Sequence, residues 1–230
     1  MLGKPSFWLS ENPEGDKNFF AHKDNCFVQT KVPTEQVEKI RRLESLKFNL
    51  IDTNLTFEAC IHQFNKISKT PDSFSIRFAR AKDRKEISEI AQTSFSFSRF
   101  HLDPSVPNKT ANQIKRKWAE NYFNGQRGEF MVVAVADDHL AGFCQILHRG
   151  DILIIDLIAV QPSHRQKGLA EAMISFLGYQ IQEKLKKLKA IRVGTQISNL
   201  PSIALYEKIG FRILSSEYVF HYHGKPDTEL

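Results

Sequence analysis

The sequence is poor in the residues that mark special architectures. Its 230 residues include only three cysteines, Cys26, Cys60 and Cys144, odd in number and without metal-ligand spacing. That argues against a disulfide framework or a cysteine zinc site and predicts reduced thiols in a cytoplasmic protein. No apolar run approaches the ~18–20 residues of a membrane-spanning helix. The opening stretch MLGKPSFWLSENPEG lacks an apolar core, so no secretory signal is expected. Neither a Walker loop nor a G-x-G-x-x-G turn is present. With no zinc-ligand set, RNA-binding aromatic signature or long basic tail, nucleic acid is not an expected partner.

What is present is the makeup of a soluble globular chain, 41% hydrophobic and 25% charged. The net charge of +6 is uneven. Residues 1–72 carry ten Lys+Arg and ten Asp+Glu, so the remaining 22 and 16 give residues 73–230 the whole excess. Such an excess suits a polyanionic ligand, and a phosphorylated small molecule fits best.

The polar stretch Lys66–Ser73, with Pro71 inside it, reads as a linker. It divides a small N-terminal domain, residues 1–72, from a larger one, residues 73–230. In the larger part, strands are expected at Ser75–Ala79, Ile152–Val160, Ile191–Gln196 and Phe211–Tyr222. Helices are expected at Asp83–Phe95, Ala111–Phe123, Gly168–Leu188 and Ser202–Lys208. Glu129–Ala136 and Leu140–His148 read as a hairpin turning at Asp137-Asp138-His139. This alternation predicts an α/β (α+β) fold with a mixed central sheet flanked by helices. Lys184, Lys186, Lys187 and Lys189 crowd the expected end of the long helix, where cations suit the helix dipole.

There is also an internal echo. Glu44–Phe57 aligns with Glu207–Phe220 at a constant offset, 220 − 57 = 163, matching Glu44 to Glu207, Phe48 to Phe211 and Phe57 to Phe220. Both stretches read as a helix end, a Phe and a strand. The N-terminal domain is therefore a candidate shortened copy of the fold's last elements.

Two features carry chemistry. The strand Ile152–Val160 is apolar except for Asp156, and a lone carboxylate there is either paired with a cation or used as a proton acceptor. By alternation it would share a face with Ile158 and Val160. After the strand comes Gln161-Pro162-Ser163-His164-Arg165-Gln166-Lys167-Gly168-Leu169-Ala170, then a helix. Free N–H groups at a helix start, the helix dipole and two cations make a phosphate site.

The motif Val160-x-Pro162-x-x-Arg165-x-x-Gly168-x-Ala170 resembles the coenzyme A pyrophosphate loop of the GNAT superfamily of N-acetyltransferases. Asn199, Ala204, Tyr206, Gly210 and Phe211 resemble the superfamily's next helix and strand. Many members have Gly directly after the Arg, where Gln166 stands. The resemblance covers roughly residues 74–223 and implies acetyl-CoA as co-substrate, with no metal. It implies that the backbone of Ile158, Ala159 and Val160 meets pantetheine. It places the pyrophosphate on Arg165, Gln166, Lys167, Gly168, Leu169 and Ala170. Asn199 and Ser202 would approach from the other side, with helix capping an equal role for Asn199. Tyr206 would protonate the leaving thiolate, with Asp156 or water as the base.

A narrower resemblance rests on Phe97-Ser98-Arg99-Phe100-His101, Asp103-Pro104, Lys117-Trp118, Asn121, Gly125 and Arg127-Gly128. These look like the TDP-fucosamine acetyltransferase group, which acts on nucleotide-linked 4-amino-4,6-dideoxyhexoses. It implies a phosphorylated amine acceptor, held by Arg99, His101 and Lys117, with Lys115 nearby. Other acceptors, a peptide amine or another small amine, remain open, as does a non-catalytic acyl-CoA-binding module. A homodimer is compatible with the sequence. His221 and His223 form a potential metal pair without a visible third ligand.

Overall fold

The computed structural model of the chain describes residues 6–8 and 26–224; the rest of the N-terminal stretch read above for a signal lies outside them. Nine described strands form one mixed sheet: β1 (Ser6–Trp8), β2 (Phe27–Pro33), β3 (Asn49–Cys60), β4 (Ser75–Phe78), β5 (Phe130–Ala136), β6 (His139–Arg149), β7 (Ile152–Val160), β8 (Ala190–Gln196) and β9 (Arg212–His223). Their order across the sheet is β1-β2-β9-β3-β8-β7-β6-β5-β4. Helices α1 (Val37–Ser45), α5 (Leu169–Lys184) and α6 (Leu200–Lys208) pack on one face. Helices α2 (Arg84–Thr93), α3 (Arg99–Leu102) and α4 (Asn108–Phe123) cover the other. No helix among the described residues is long and apolar enough to cross a membrane.

The expected α/β architecture is therefore present. The hairpin turns where expected, because Asp137 (φ 46°) and Asp138 (φ 65°) both take the left-handed conformation that matches strand twist. The long helix ends earlier than its leucine spacing suggests, at Lys184. Leu185 leaves helical geometry, and Leu188 reaches the core from the following turn. Lys186, Lys187 and Lys189 thus lie beyond the helix, so only Lys184 occupies its last turn. The linker runs against α5, where Ser175 Oγ accepts the Ser68 N–H at 2.7 Å.

The echo is a structural repeat. Shifting by 190 − 27 = 163 residues carries β2 (Phe27–Pro33) onto β8 (Ala190–Gln196), α1 (Val37–Ser45) onto α6 (Leu200–Lys208) and β3 (Asn49–Cys60) onto β9 (Arg212–His223). The pairing obeys the same operation. Antiparallel β2–β9 pairs Phe27 with His223, and antiparallel β3–β8 pairs Cys60 with Ala190. In the central β3–β9 pair, Leu50 faces Phe220 and, symmetrically, Phe57 faces Ile213. A pseudo-twofold axis thus pierces the sheet beside the Asn54–Glu217 pair. Each half lends its second strand to the other. Leu43 and Phe48 pack with Phe220, whereas Tyr206 and Phe211 pack with Phe57. Consequently the segments that meet at residue 72 share one sheet, and β3 sits between β8 and β9.

Candidate active site

The site begins where two strands part. Parallel β7 and β8 pair only through Ile152–Ile155 and Ala190–Val193. Beyond that point β7 keeps β6 alone, while β8 keeps β3. The cause is a bulge. Gln145 opposes Leu157 and Ile146 opposes Ile155, so Asp156 is the extra residue on β7 and bends it away. Past the bulge, the Gln161 N–H bonds Ala141 O on β6 at 2.8 Å. By strand alternation the peptide groups of Ile158 and Val160 then face the opening toward β8. The Val160 carbonyl accepts Arg165 Nε at 3.1 Å, leaving the Ile158 and Val160 N–H groups to receive an extended ligand.

The bulge also moves Asp156. Ile155, Ile158 and Val160 pack with the core under α5, and Leu157 and Ala159 take the opposite side. Asp156 points to that opposite side, not the Ile158/Val160 side expected from alternation, because the extra residue breaks the two-residue period. There its carboxylate accepts Arg127 Nε and Nη2, each at 2.6 Å, and Gln145 Nε2 at 3.1 Å. Of the two readings weighed for Asp156, the geometry displays the ion pair.

At the open end of β7 the chain turns through Pro162–His164 into α5. Gln166 (φ 61°) and Gly168 (φ 77°) both take the left-handed region. Among the described residues, no acceptor takes the N–H groups of Gln166, Lys167, Gly168, Leu169 or Ala170. An exposed run of free N–H groups on a helix start fits a pyrophosphate. The Arg165 side chain braces this loop, bonding Val160 O and, at 3.2 Å, Ser94 O beyond α2. Gln166 carries the strain that glycine would avoid, roughly 1 kcal/mol. Gln166→Gly is therefore expected to raise the melting temperature slightly and to leave acyl-CoA affinity equal or tighter, as calorimetry would show.

Tyr206 lies in the core beside the strand opening, its ring centroid 5.7 Å from those of Phe57 and Phe211. It is fully buried. Burial, with a smaller contribution from Cys144, pushes its phenol above the ordinary tyrosine range, so it carries its proton at neutral pH. Asn199 caps α6, accepting the Ser202 N–H at 3.4 Å and donating to Thr195 Oγ1 at 3.1 Å.

On the α2–α4 face a cationic cluster surrounds Trp118. Arg99, Lys115 and Arg127 stand 5.5, 4.7 and 4.6 Å from its ring. Arg99 Nε also donates to Gln29 Oε1 at 2.8 Å. Desolvation, then repulsion from Arg99, lowers Lys115 to about 7, with Arg127 adding and Asp156 opposing. Desolvation and Arg127 lower Arg99 to about 10. Of the acceptor residues read from sequence, Arg99 joins this cluster, and Lys115, expected nearby, lies within it. Lys117 faces outward and pairs with Glu120 at 2.9 Å; Lys115, two residues earlier, turns inward instead. His101 uses both ring nitrogens, on Ser98 Oγ at 2.6 Å and Asn112 Oδ1 at 2.8 Å, and burial lowers its pKa.

The missing partner of His221 and His223 is Asp103. Its Oδ2 lies 2.7 Å from His221 Nδ1 and 2.7 Å from His223 Nε2. The three groups are joined by hydrogen bonds, and among the described residues they are the one group that could hold a metal. Burial opposes ionisation of Asp103, but the two histidines and the Ser105 N–H overcome it and hold the carboxyl below the usual range. The trio thereby ties α3 to β9.

Sequence reading gave Asp52 and Asn54 of β3 no role. Both are buried on the face of Asp156. The rule that singled out Asp156, a carboxylate in an apolar strand, applies equally to Asp52 in NLIDTNLTF.

The model of the Acetyltransferase (GNAT) family matches residues 85–211, and the chain belongs to that family. It is 31% identical over 195 residues to the spore coat polysaccharide biosynthesis protein SpsD of Bacillus subtilis (strain 168). That match covers 85% of this chain and 66% of SpsD, so the chain spans just under two thirds of that relative. In fold, it resembles a tandem GNAT protein from the clavulanic acid biosynthesis pathway, with TM-score 0.70 and 12% identity, over 98% of this chain and 77% of that one. A GCN5-related N-acetyltransferase from Sphaerobacter thermophilus gives TM-score 0.62 and 15% identity, over 90% of this chain and 63% of that one.

Proposed function

We propose that this chain moves an acetyl group from acetyl-CoA to the amine of a nucleotide-linked amino sugar, such as a dTDP-4-amino-4,6-dideoxyhexose. Residues 73–230 form the acetyltransferase domain in this reading, and residues 1–72 a truncated copy. The tandem GNAT fold likeness supports the copy. Leu43 stands at the copy's counterpart of Tyr206, so the copy lacks a proton donor. The cationic cluster Arg99–Lys115–Arg127 beside the strand opening carries the acceptor assignment, because it suits a diphosphate-linked substrate rather than a cationic peptide. The polysaccharide-biosynthesis name of the 31% identical relative agrees with a sugar acceptor.

In this scheme acetyl-CoA brings the thioester, and the Gln166–Ala170 N–H groups hold its pyrophosphate. The Ile158 and Val160 N–H groups align the pantetheine arm, and Ile158 polarises the thioester carbonyl. The neutral amine attacks that carbonyl carbon, forming the C–N bond as the C–S bond breaks. Tyr206 gives its proton to the departing sulfur, the amine's surplus proton passes to water, and a proton from water restores the phenol. Asp156, already holding Arg127, orients the cation rather than accepting that proton.

Lys115 makes acceptor binding pH-dependent. Faced by Arg99, Arg127, Asp156 and His101, it is charged below about 7 and neutral above. The acceptor KM is therefore expected to rise as pH passes upward through 7, while the acetyl-CoA KM stays level. A Lys115→Met variant should flatten the acceptor profile in the same steady-state assay. The reading itself is tested by thiol release with acetyl-CoA and a panel of amines. Turnover should be fastest with nucleotide-linked 4-amino sugars, and equal or faster turnover of peptide amines would overturn it.

A further inference from the structure

Unpaired polar atoms collect on the acceptor face of the sheet. Among the described residues, the buried side-chain atoms without a hydrogen-bond partner include Asp52 Oδ2, Asn54 Nδ2 and Gln145 Oε1. Such orphans are rare in folded proteins and ask for a partner that completes them. These three share a face. Asp52 pairs across with Val219, whose side points away from Phe220 and the α1 core. Asn54 lies beside the opening itself, since a β-carbon added at Gly194 would come within 3.4 Å of Asn54 Oδ1. Gly194 is the first β8 residue past the last β7–β8 pair. Gln145 lies on the other bank, where it holds Asp156. Two acceptors and one amide donor thus border the place where an acyl group would emerge between the strands.

Asp52 and Asn54 have a common origin. Both belong to β3, the strand that the N-terminal repeat inserts between β8 and β9. Their counterparts 163 residues on are Ser215 and Glu217 of β9. Ser215 is exposed, and Glu217 is bound to Lys31 at 3.2 Å. The repeat is therefore symmetric in backbone but not in this chemistry.

We infer that the truncated copy supplies acceptor recognition: Asp52 of β3 accepts a hydrogen bond from a ring hydroxyl of a polyhydroxylated amino sugar, and Asn54 of β3 donates one to an oxygen of the same sugar. This deepens the proposed function and rests on it. Asp52 Oδ2 receives a donor, and Asn54 Nδ2 gives one to an oxygen. Burial raises the Asp52 carboxyl to about 6, against Thr53, Lys31 of β2, Arg99 of α3 and Gln196 of β8, so it is an ionised acceptor at neutral pH. An ammonium or hydroxyl donor would offset that buried charge, as a charge-assisted hydrogen bond does.

The test is titration calorimetry of the nucleotide-linked amino sugar into the full chain saturated with CoA, with Asp52→Asn, Asp52→Ala and Asn54→Ala. Acceptor affinity is expected to fall about tenfold or more in the Asp52 variants, as for a lost hydrogen bond to a charged group, and about fivefold in Asn54→Ala, as for a neutral one. CoA affinity should stay within twofold, and Asp52→Asn should melt no lower than the parent at pH 7. A sugar analogue lacking the contacted hydroxyl should bind parent and Asp52→Ala alike. Unchanged acceptor affinity in Asp52→Ala and Asn54→Ala overturns this inference alone. Equal losses of acceptor and CoA affinity also overturn it, since they mark a structural role. A parent chain that binds no amino sugar sinks the proposed function and this inference together.

Discussion

Replacing Tyr206 with phenylalanine is expected to lower kcat by about 100-fold or more, within the range for a general acid. Acetyl-CoA affinity should remain within twofold. The change removes one hydroxyl and keeps the ring that packs against Phe57 and Phe211, so the core survives. The physical reason for the loss is the leaving group. A thiolate departs poorly from a pocket without a proton source, and burial keeps this phenol protonated through the neutral range. Steady-state kinetics with isothermal binding would separate the two parameters. Undiminished kcat would remove Tyr206 from the reaction and leave it as core packing.

Arg127→Ala is expected to destabilise the fold by about 3 kcal/mol, the lower end of the range for orphaning one member of a buried ion pair. The lower end applies because the Arg127 side chain is 33% exposed, whereas that of Asp156 is 9% exposed. For a chain of this size that is a fall in melting temperature of roughly 6–12 °C. Two further effects accompany it. Asp156 is the bulge residue that parts β7 from β8, so its uncompensated charge lies at the base of the opening. The α2–α4 face also loses one of three cations around Trp118. A paired Arg127→Met, Asp156→Leu variant should recover much of the stability but not the acceptor affinity. Calorimetric melting of the two variants checks this, and equal melting temperatures for Arg127→Ala and the parent would contradict it.

Local structure was readable from the sequence. The β7 limits follow from one run, apolar but for Asp156, that stops before Gln161-Pro162, and the turn and helix start behind it were legible too. The repeat was visible through only three identities, because a core position is met by any apolar side chain of fitting size. Three features escaped. Asp156 turned to the other face because a bulge has no sequence marker in an otherwise regular apolar strand. Lys117 was preferred to Lys115 although Ala111, Ile114, Lys115 and Ala119 define the buried side of α4 at helical spacing. Asp103 could not be joined to His221 and Asp52 could not be placed beside the opening, since both meetings depend on which strands are neighbours. The placement of Asp52 depends on β3 crossing into the other half of the repeat, a long-range choice that composition and spacing do not encode.

Titration of acetyl-CoA into the purified chain by calorimetry tests the central claim most directly. The account predicts one equivalent bound per chain, since the only Pro162-x-x-Arg165-x-x-Gly168-x-Ala170 turn leading into a helix among the described residues is the one behind β7, and loss of that binding in Gly168→Glu, whose carboxylate would fill and repel the pyrophosphate place. No binding, two equivalents, or binding indifferent to Gly168→Glu would contradict it.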